Sequence, residues 1–143
     1  MIALDTNLLV YAADTGSRDH SRAREAVAEV VQSPAWALPW SVAHEYLRVV
    51  TAQRIGGGQV PLETAIRSIE AYLAAPGVHT LAEPPGYWRA FRNVVTVGGV
   101  SGSRIFDARI AATCLANGVS ELWTADRGFS RFPGLKVRNP LVG

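Results

Sequence analysis

The chain has 143 residues, 48% of them hydrophobic and 18% charged, which fits one compact domain over 1–143 that can bury roughly two thirds of its unfolded surface. The formal net charge is only +2, and no apolar run approaches the roughly 18 residues of a membrane span. A single cysteine, Cys114, excludes an intrachain disulfide and any multi-cysteine metal site, and no basic flank precedes the first apolar run, so the expected setting is cytoplasmic, with no membrane partner.

Residues Ile2 to Leu4 form a short apolar run suited to a buried strand, and the run stops at a carboxylate, Asp5. Thr6 or Asn7 then caps a helix carrying Leu8, Leu9, Tyr11 and Ala12. A strand feeding directly into a helix leaves Asp5 at the C-terminal edge of a sheet, where open α/β sheets bind ligands; a turn or N-cap aspartate is the plainer alternative. Residues 14–19 read as a loop. A helix over 20–32 follows, with Ala23, Ala26, Val27, Val30 and Val31 on one face. Trp36, Ala37 and Leu38 make a short strand closed by Pro39.

Ser41 is a good N-cap for a helix over 41–53, in which Val42, Glu45, Tyr46, Val49 and Val50 share a face. Glu45 therefore sits in an apolar stripe, where a carboxylate needs a partner unless it snorkels outward. Gly56-Gly57-Gly58 is a loop. It follows a helix and has no GKS/T after it, so it is not a phosphate-binding loop. Pro61 opens a helix over 61–75 with Leu62, Ala65, Ile66, Ile69, Tyr72 and Leu73 inward. A strand over 78–81, the break Pro84-Pro85-Gly86 and a helix over 87–97 come next, with Trp88, Phe91, Val94 and Val95 inward. After a loop over 98–104, a helix over 105–117 puts Asp107, Ile110, Ala111 and Cys114 on one face. Asp107 is thus a second acid on an apolar stripe, although a first-turn acid also complements the helix dipole. Asn117-Gly118 stops that helix. The strand over 121–124 ends at Asp126 much as the first ends at Asp5. Phe129 and Phe132 pack within 127–134, and 136–138 is a last strand.

Strands alternate with helices, so the expected fold is α/β: a three-layer α/β/α sandwich around a parallel sheet of about four to five strands. The four tryptophans and most other aromatics read as core.

Asp5, Glu45, Asp107 and Asp126 come from four distant segments. Carboxylates brought together repel unless one takes up a proton or a cation joins them. Mg²⁺ or Mn²⁺ suits such an oxygen-only set, and the matching substrate carries oxyanions, as a phosphodiester does. His44-Glu45 begins like a zinc motif, but Arg48 stands where its second histidine belongs. Lys136 is the only lysine, so 13 of the 14 basic residues are arginines, which suit bidentate phosphate contact. Sequestering four of the 12 acids at one site leaves eight acids against 14 basic residues, or +6, on the rest of the molecule. Arg104 and Arg127, beside Asp107 and Asp126, are the expected phosphate contacts.

Asp5-Thr6-Asn7, Glu45 in its helix, Asp107-Ala108 and Thr124-Ala125-Asp126-Arg127-Gly128-Phe129 together resemble PIN domains, above all the VapC ribonuclease toxins of bacterial type II toxin–antitoxin systems. The resemblance spans the chain from Asp5 to the 132–135 tail. It implies a PIN-like fold and a Mg²⁺- or Mn²⁺-dependent endoribonuclease that cuts tRNA or rRNA. It assigns catalysis and metal binding to Asp5, Glu45, Asp107 and Asp126, with Thr6, Asn7 and Thr124 in support. It also implies a homodimer, and a toxin–antitoxin hetero-oligomer with a VapB-type antitoxin whose tail fills the active-site groove. The alternative is a catalytically silent PIN-like module that binds RNA or protein, which the intact acids argue against.

Other phosphate-handling folds fit less well. A haloacid-dehalogenase-type phosphatase needs an aspartate where Asn7 stands, and a receiver domain needs a late lysine placed elsewhere than Lys136. A dinucleotide-binding fold needs a glycine-rich turn after the first strand, which is absent.

Overall fold

The computed structural model describes residues 1–52 and 58–143. In chain order the elements are β1 (Ile2–Leu4), α1 (Thr6–Ala13), α2 (His20–Val31), β2 (Trp36–Pro39), α3 (Trp40–Ala52), α4 (Leu62–Leu73), β3 (Val78–Leu81), α5 (Tyr87–Gly98), α6 (Arg104–Ala116), β4 (Glu121–Trp123), a 3₁₀ helix (Arg127–Arg131) and β5 (Lys136–Arg138). The five strands form one sheet in the order β3-β2-β1-β4-β5, and every pairing is parallel. The expected α/β architecture is therefore present, with β1 as the central strand.

Burial explains why such short strands hold. Ala3 and Leu4 of β1, Leu122 and Trp123 of β4 and all four residues of β2 are buried, although consecutive strand residues point to opposite faces. Both faces of the central sheet are thus covered, as a parallel sheet requires. The edge strands β3 and β5 are more exposed. Trp36 packs edge-on against Tyr72, and Phe129 against Phe132, which ties the 3₁₀ segment to the core.

The topology places the site. From β1 the chain crosses to β2 on one side and later returns to β4 on the other. The order reverses between β2 and β4, so loops leaving the C-terminal ends of β1 and β4 diverge and leave a crevice. Register aligns those ends: Leu4 lies opposite Trp123, one residue before Asp5 and one before Thr124.

Several expected details differ. Asp5, rather than Thr6 or Asn7, caps α1, because its carboxylate accepts the Thr6 amide. α3 begins at Trp40, so Ser41 lies inside the helix and its hydroxyl is buried without a hydrogen-bond partner. Pro61 is the cap of α4 and not its first helical residue. Trp88 is 67% exposed and Trp40 39%, so only Trp36 and Trp123 of the four tryptophans are core. α5 packs mainly on α6, and its apolar arc is wider than that one neighbour covers. At the start of α2 the His20 Nδ1 meets the Tyr11 carbonyl at 3.0 Å. The expected end of the third helix at Gln53, and Gly56-Gly57, lie outside the described residues. Among the described residues no helix is long and apolar enough to cross a membrane.

Candidate active site

The β1 and β4 ends are joined by one hydrogen-bonded network. Asp5 is 4% exposed, with Oδ1 accepting from the Thr6 amide at 2.8 Å and Oδ2 from the Thr124 hydroxyl at 2.7 Å. The Thr124 hydroxyl accepts in turn from Asn7 Nδ2 and from the Asp126 amide, both at 3.0 Å. That uses its single donor and both lone pairs. The Asn7 carbonyl oxygen accepts from the Ala125 amide at 3.2 Å. Asp126 closes the network by accepting from the Gly128 amide at 2.8 Å, which caps the 3₁₀ helix. The buried Thr6 hydroxyl lies by Glu45 and helps to hold its carboxyl down against the effect of burial, without the geometry of a full hydrogen bond.

Helices α3 and α6 bring in the other two acids. Glu45 and Asp107 are half-buried on faces that otherwise carry core residues such as Val42, Tyr46, Ile110 and Cys114. Arg104, at the start of α6, donates from one Nη1 to Asp107 at 2.8 Å and to Asp126 at 2.7 Å. These side chains open onto a groove of about 650 Å³. His44, Arg48 and Arg109 also line it, with Phe106 at its wall. Arg109 is paired with Glu83.

The acids perturb one another. Burial pushes the Asp5 carboxyl up to about 7; the Thr124 and Thr6 hydrogen bonds oppose this, and the charges of Glu45 and Asp107 add to it. Burial also raises Glu45, with Arg48 opposing and Asp107 reinforcing. Asp107 is raised by burial against the pull of Arg104, and Asp126 adds to the rise. All four carboxylates thus belong to one electrostatic cluster.

That cluster suits a hard cation in its chemistry: every carboxylate is an oxygen donor, and their charges disfavour one another's ionisation. It is not a closed cage. Among the described residues no three His, Cys, Asp or Glu side chains stand in a metal-holding arrangement, and a guanidinium lies between Asp107 and Asp126.

The structure brings together Asp5, Thr6, Asn7, Glu45, Arg104, Asp107, Thr124 and Asp126. Arg127 is exposed and does not line the groove. Sequence reasoning missed Arg48 and Arg109 as groove residues. Arg48 had a local signal, since it lies three residues after Glu45 on one helix face; Arg109 had none.

Comparison with known proteins gives the family and the fold. The family model of the PIN domain matches residues 2–135. Ribonuclease VapC48 of Mycobacterium tuberculosis is 32% identical over 140 residues, covering 97% of each chain. Ribonuclease VapC43 of the same species is 35% identical over 144 residues, covering 100% of this chain and 97% of its own. The crystal structure of VapBC2 from Rickettsia felis, bound to a promoter DNA fragment, superposes with a TM-score of 0.69 at 19% identity, over 97% of this chain and 98% of that one.

Proposed function

This chain belongs to the PIN-domain family, in its VapC ribonuclease branch, and from that membership we propose that Asp5, Glu45, Asp107 and Asp126 run a divalent-metal-dependent cleavage of RNA. The protein is the ribonuclease toxin of a type II toxin–antitoxin pair, and a VapB-type antitoxin is its partner. The observation that carries the site reading is the convergence of four acids from distant segments at the switch point of a parallel sheet, beside a groove bordered by arginines.

Each residue has a task in this reading. The Thr124 hydroxyl and the Thr6 amide fix both oxygens of Asp5, so its orientation is set before substrate arrives. Asn7 locks Thr124 and the Ala125 amide, which holds the β4 exit against α1. Asp126 is aimed by the Gly128 amide. Glu45 and Asp107 complete the oxygen set from the helix side. A Mg²⁺ or Mn²⁺ held by these four acids would supply Lewis acidity, activating water for attack and offsetting charge on the transferring phosphate. Arg48, Arg104 and Arg109 border the groove and contact RNA phosphates. The substrate is a tRNA or rRNA, and the working unit is a homodimer that assembles with antitoxin.

The test is cleavage of a mixed tRNA and rRNA pool by the purified chain. Cutting should require Mg²⁺ or Mn²⁺ and stop in excess EDTA. Undiminished cutting in EDTA would overturn the metal assignment.

A further inference from the structure

Arg104 stands in an unusual place. It is the first residue of α6, where the positive end of the helix dipole disfavours a cation. Its side chain is nevertheless committed inward. A single nitrogen, Nη1, is shared between Asp107 Oδ2 and Asp126 Oδ2, carboxylates that line the same groove from α6 and from the end of β4. The guanidinium does for these two acids what a metal ion does: it offsets their mutual repulsion from between them.

The protein makes room for it. A Cβ built on Gly128 would lie 2.6 Å from Arg104 Cζ and closer still to Nη1. Gly128 is not among the glycines with positive φ, so its backbone does not require glycine. A side chain at 128 would instead push the guanidinium, the movable end of a long side chain, off its present seat. Arg104 is also 41% exposed at its side chain, so it has a way out into solvent.

We propose that Arg104 is an internal counter-cation, seated over Gly128, that competes with the divalent metal for Asp107 and Asp126. The proposal rests on the reading of the four acids as a cation site. Metal entry displaces the guanidinium from the carboxylates, and the freed side chain then faces the groove where RNA phosphate lies. Arg104 is therefore a positioning residue in the metal-free protein, and metal loading and phosphate contact are coupled through it.

Mn²⁺ binding to the purified chain, without RNA, tests this by calorimetry or by the loss of free-ion electron spin resonance signal. Arg104→Gln should bind Mn²⁺ on the order of tenfold more tightly than the parent, because a unit positive charge has left the site. Gly128→Ala, which leaves Arg104 present but crowded out, should shift affinity in the same direction. The Mg²⁺-induced rise in melting temperature should grow in both. Equal or weaker Mn²⁺ binding by Arg104→Gln would overturn the proposal and leave the metal site standing. Parental affinity in Gly128→Ala would overturn the role of the slot. Absence of Mn²⁺ binding in parent and variants alike would overturn the cation site itself, and this proposal with it.

Discussion

Asp5, at the end of β1, is buried and held by the Thr6 amide and the Thr124 hydroxyl, and Asp126, at the end of β4, accepts from the Gly128 amide as well as from Arg104, whereas Glu45 and Asp107, on α3 and α6, are held mainly by charge. On the strand side, Thr124, Asn7 and the amides of Thr6, Ala125, Asp126 and Gly128 close a network in which the Thr124 hydroxyl has no unused valence. On the helix side both acids are partly buried; Asp107 pairs with the Arg104 guanidinium, and Glu45 is held down against the effect of burial by the charge of Arg48 and by the Thr6 hydroxyl. The first half is rigid because moving one member leaves buried polar groups unpaired, which is costly. The second half tolerates rearrangement, because partly exposed ion pairs are weak and water replaces them. A site built this way has a fixed floor and adjustable walls.

The largest expected effect breaks the adjustable half at its acid. Asp107→Asn should lower cleavage by roughly 10³-fold, the scale for losing a group that manages charge in a transition state. Its metal-free melting temperature should equal or exceed the parent's, because burial already raises the Asp107 carboxyl despite Arg104. Were Asp107 only a dipole-favouring acid, the variant would lose roughly 0.3–1 kcal/mol and keep its activity. Cleavage assays beside thermal melts separate these outcomes.

The fixed half should announce itself through pH. The Asp5 carboxyl is pushed up to about 7 in the folded protein from an ordinary value of 3.8. Between those values the folded state keeps a proton that the unfolded chain has released, so this group's contribution to stability falls as pH rises from about 4 to about 7, and is level above that. The decline is at most about 4 kcal/mol. Asp5→Asn should flatten it, and saturating Mg²⁺ should offset it in the parent. Urea unfolding of metal-free protein at successive pH values measures the slope; a parent as stable at pH 7 as at pH 4.5 would contradict the buried-acid account.

Thr124→Val comes next. It keeps the shape and removes the hydroxyl that Asp5, Asn7 and the Asp126 amide share. Leaving buried groups unpaired should cost roughly 2–4 kcal/mol in urea unfolding, and the Asp5 carboxyl should rise further. A loss below about 0.5 kcal/mol would mean that the network is not the rigid part.

The same division decides what a reader of the sequence can see. β1, β3 and β5 fall at 2–4, 78–81 and 136–138 as expected, β1 from its apolar run and the short edge strands β3 and β5 from the breaks that flank them. The four acids were legible from position: two follow apolar strands and two interrupt apolar helix faces. Their partners were less so. Asp5 caps α1 and also stands within the acid cluster, so the cap and the candidate-site readings do not exclude each other. Nothing local says that Arg104 reaches Asp126, 22 residues away, or that its guanidinium lies over Gly128. Those facts depend on strand order, and the reversal at β1 is a property of the whole sheet. Trp88 misled for the same reason: helical spacing marks an apolar face without saying whether a neighbour covers it.

The smallest expected effect distinguishes arginines that belong to the adjustable wall from one that only neighbours it in sequence. Arg127 follows Asp126 directly, yet it is exposed and outside the groove, whereas Arg48 lines the groove one helical turn from Glu45. Each phosphate contact releases counterions, so losing one lowers the dependence of log affinity on log salt by slightly less than one unit. RNA binding should be measured in an Asp5→Asn background, which keeps Arg104 and its two carboxylates in place while removing cleavage. There, Arg48→Ala should reduce the salt slope by about one, as should Arg109→Ala once its pairing with Glu83 is counted as a competing contact. Arg127→Ala should leave the slope within about 0.3 of its starting value, since a charge that far out acts only through a screened field. A slope that falls equally for Arg127→Ala and Arg48→Ala would mean that RNA runs over the 3₁₀ segment as well as through the groove. The phosphate track would then extend past the fixed floor of the site, on the side of β4.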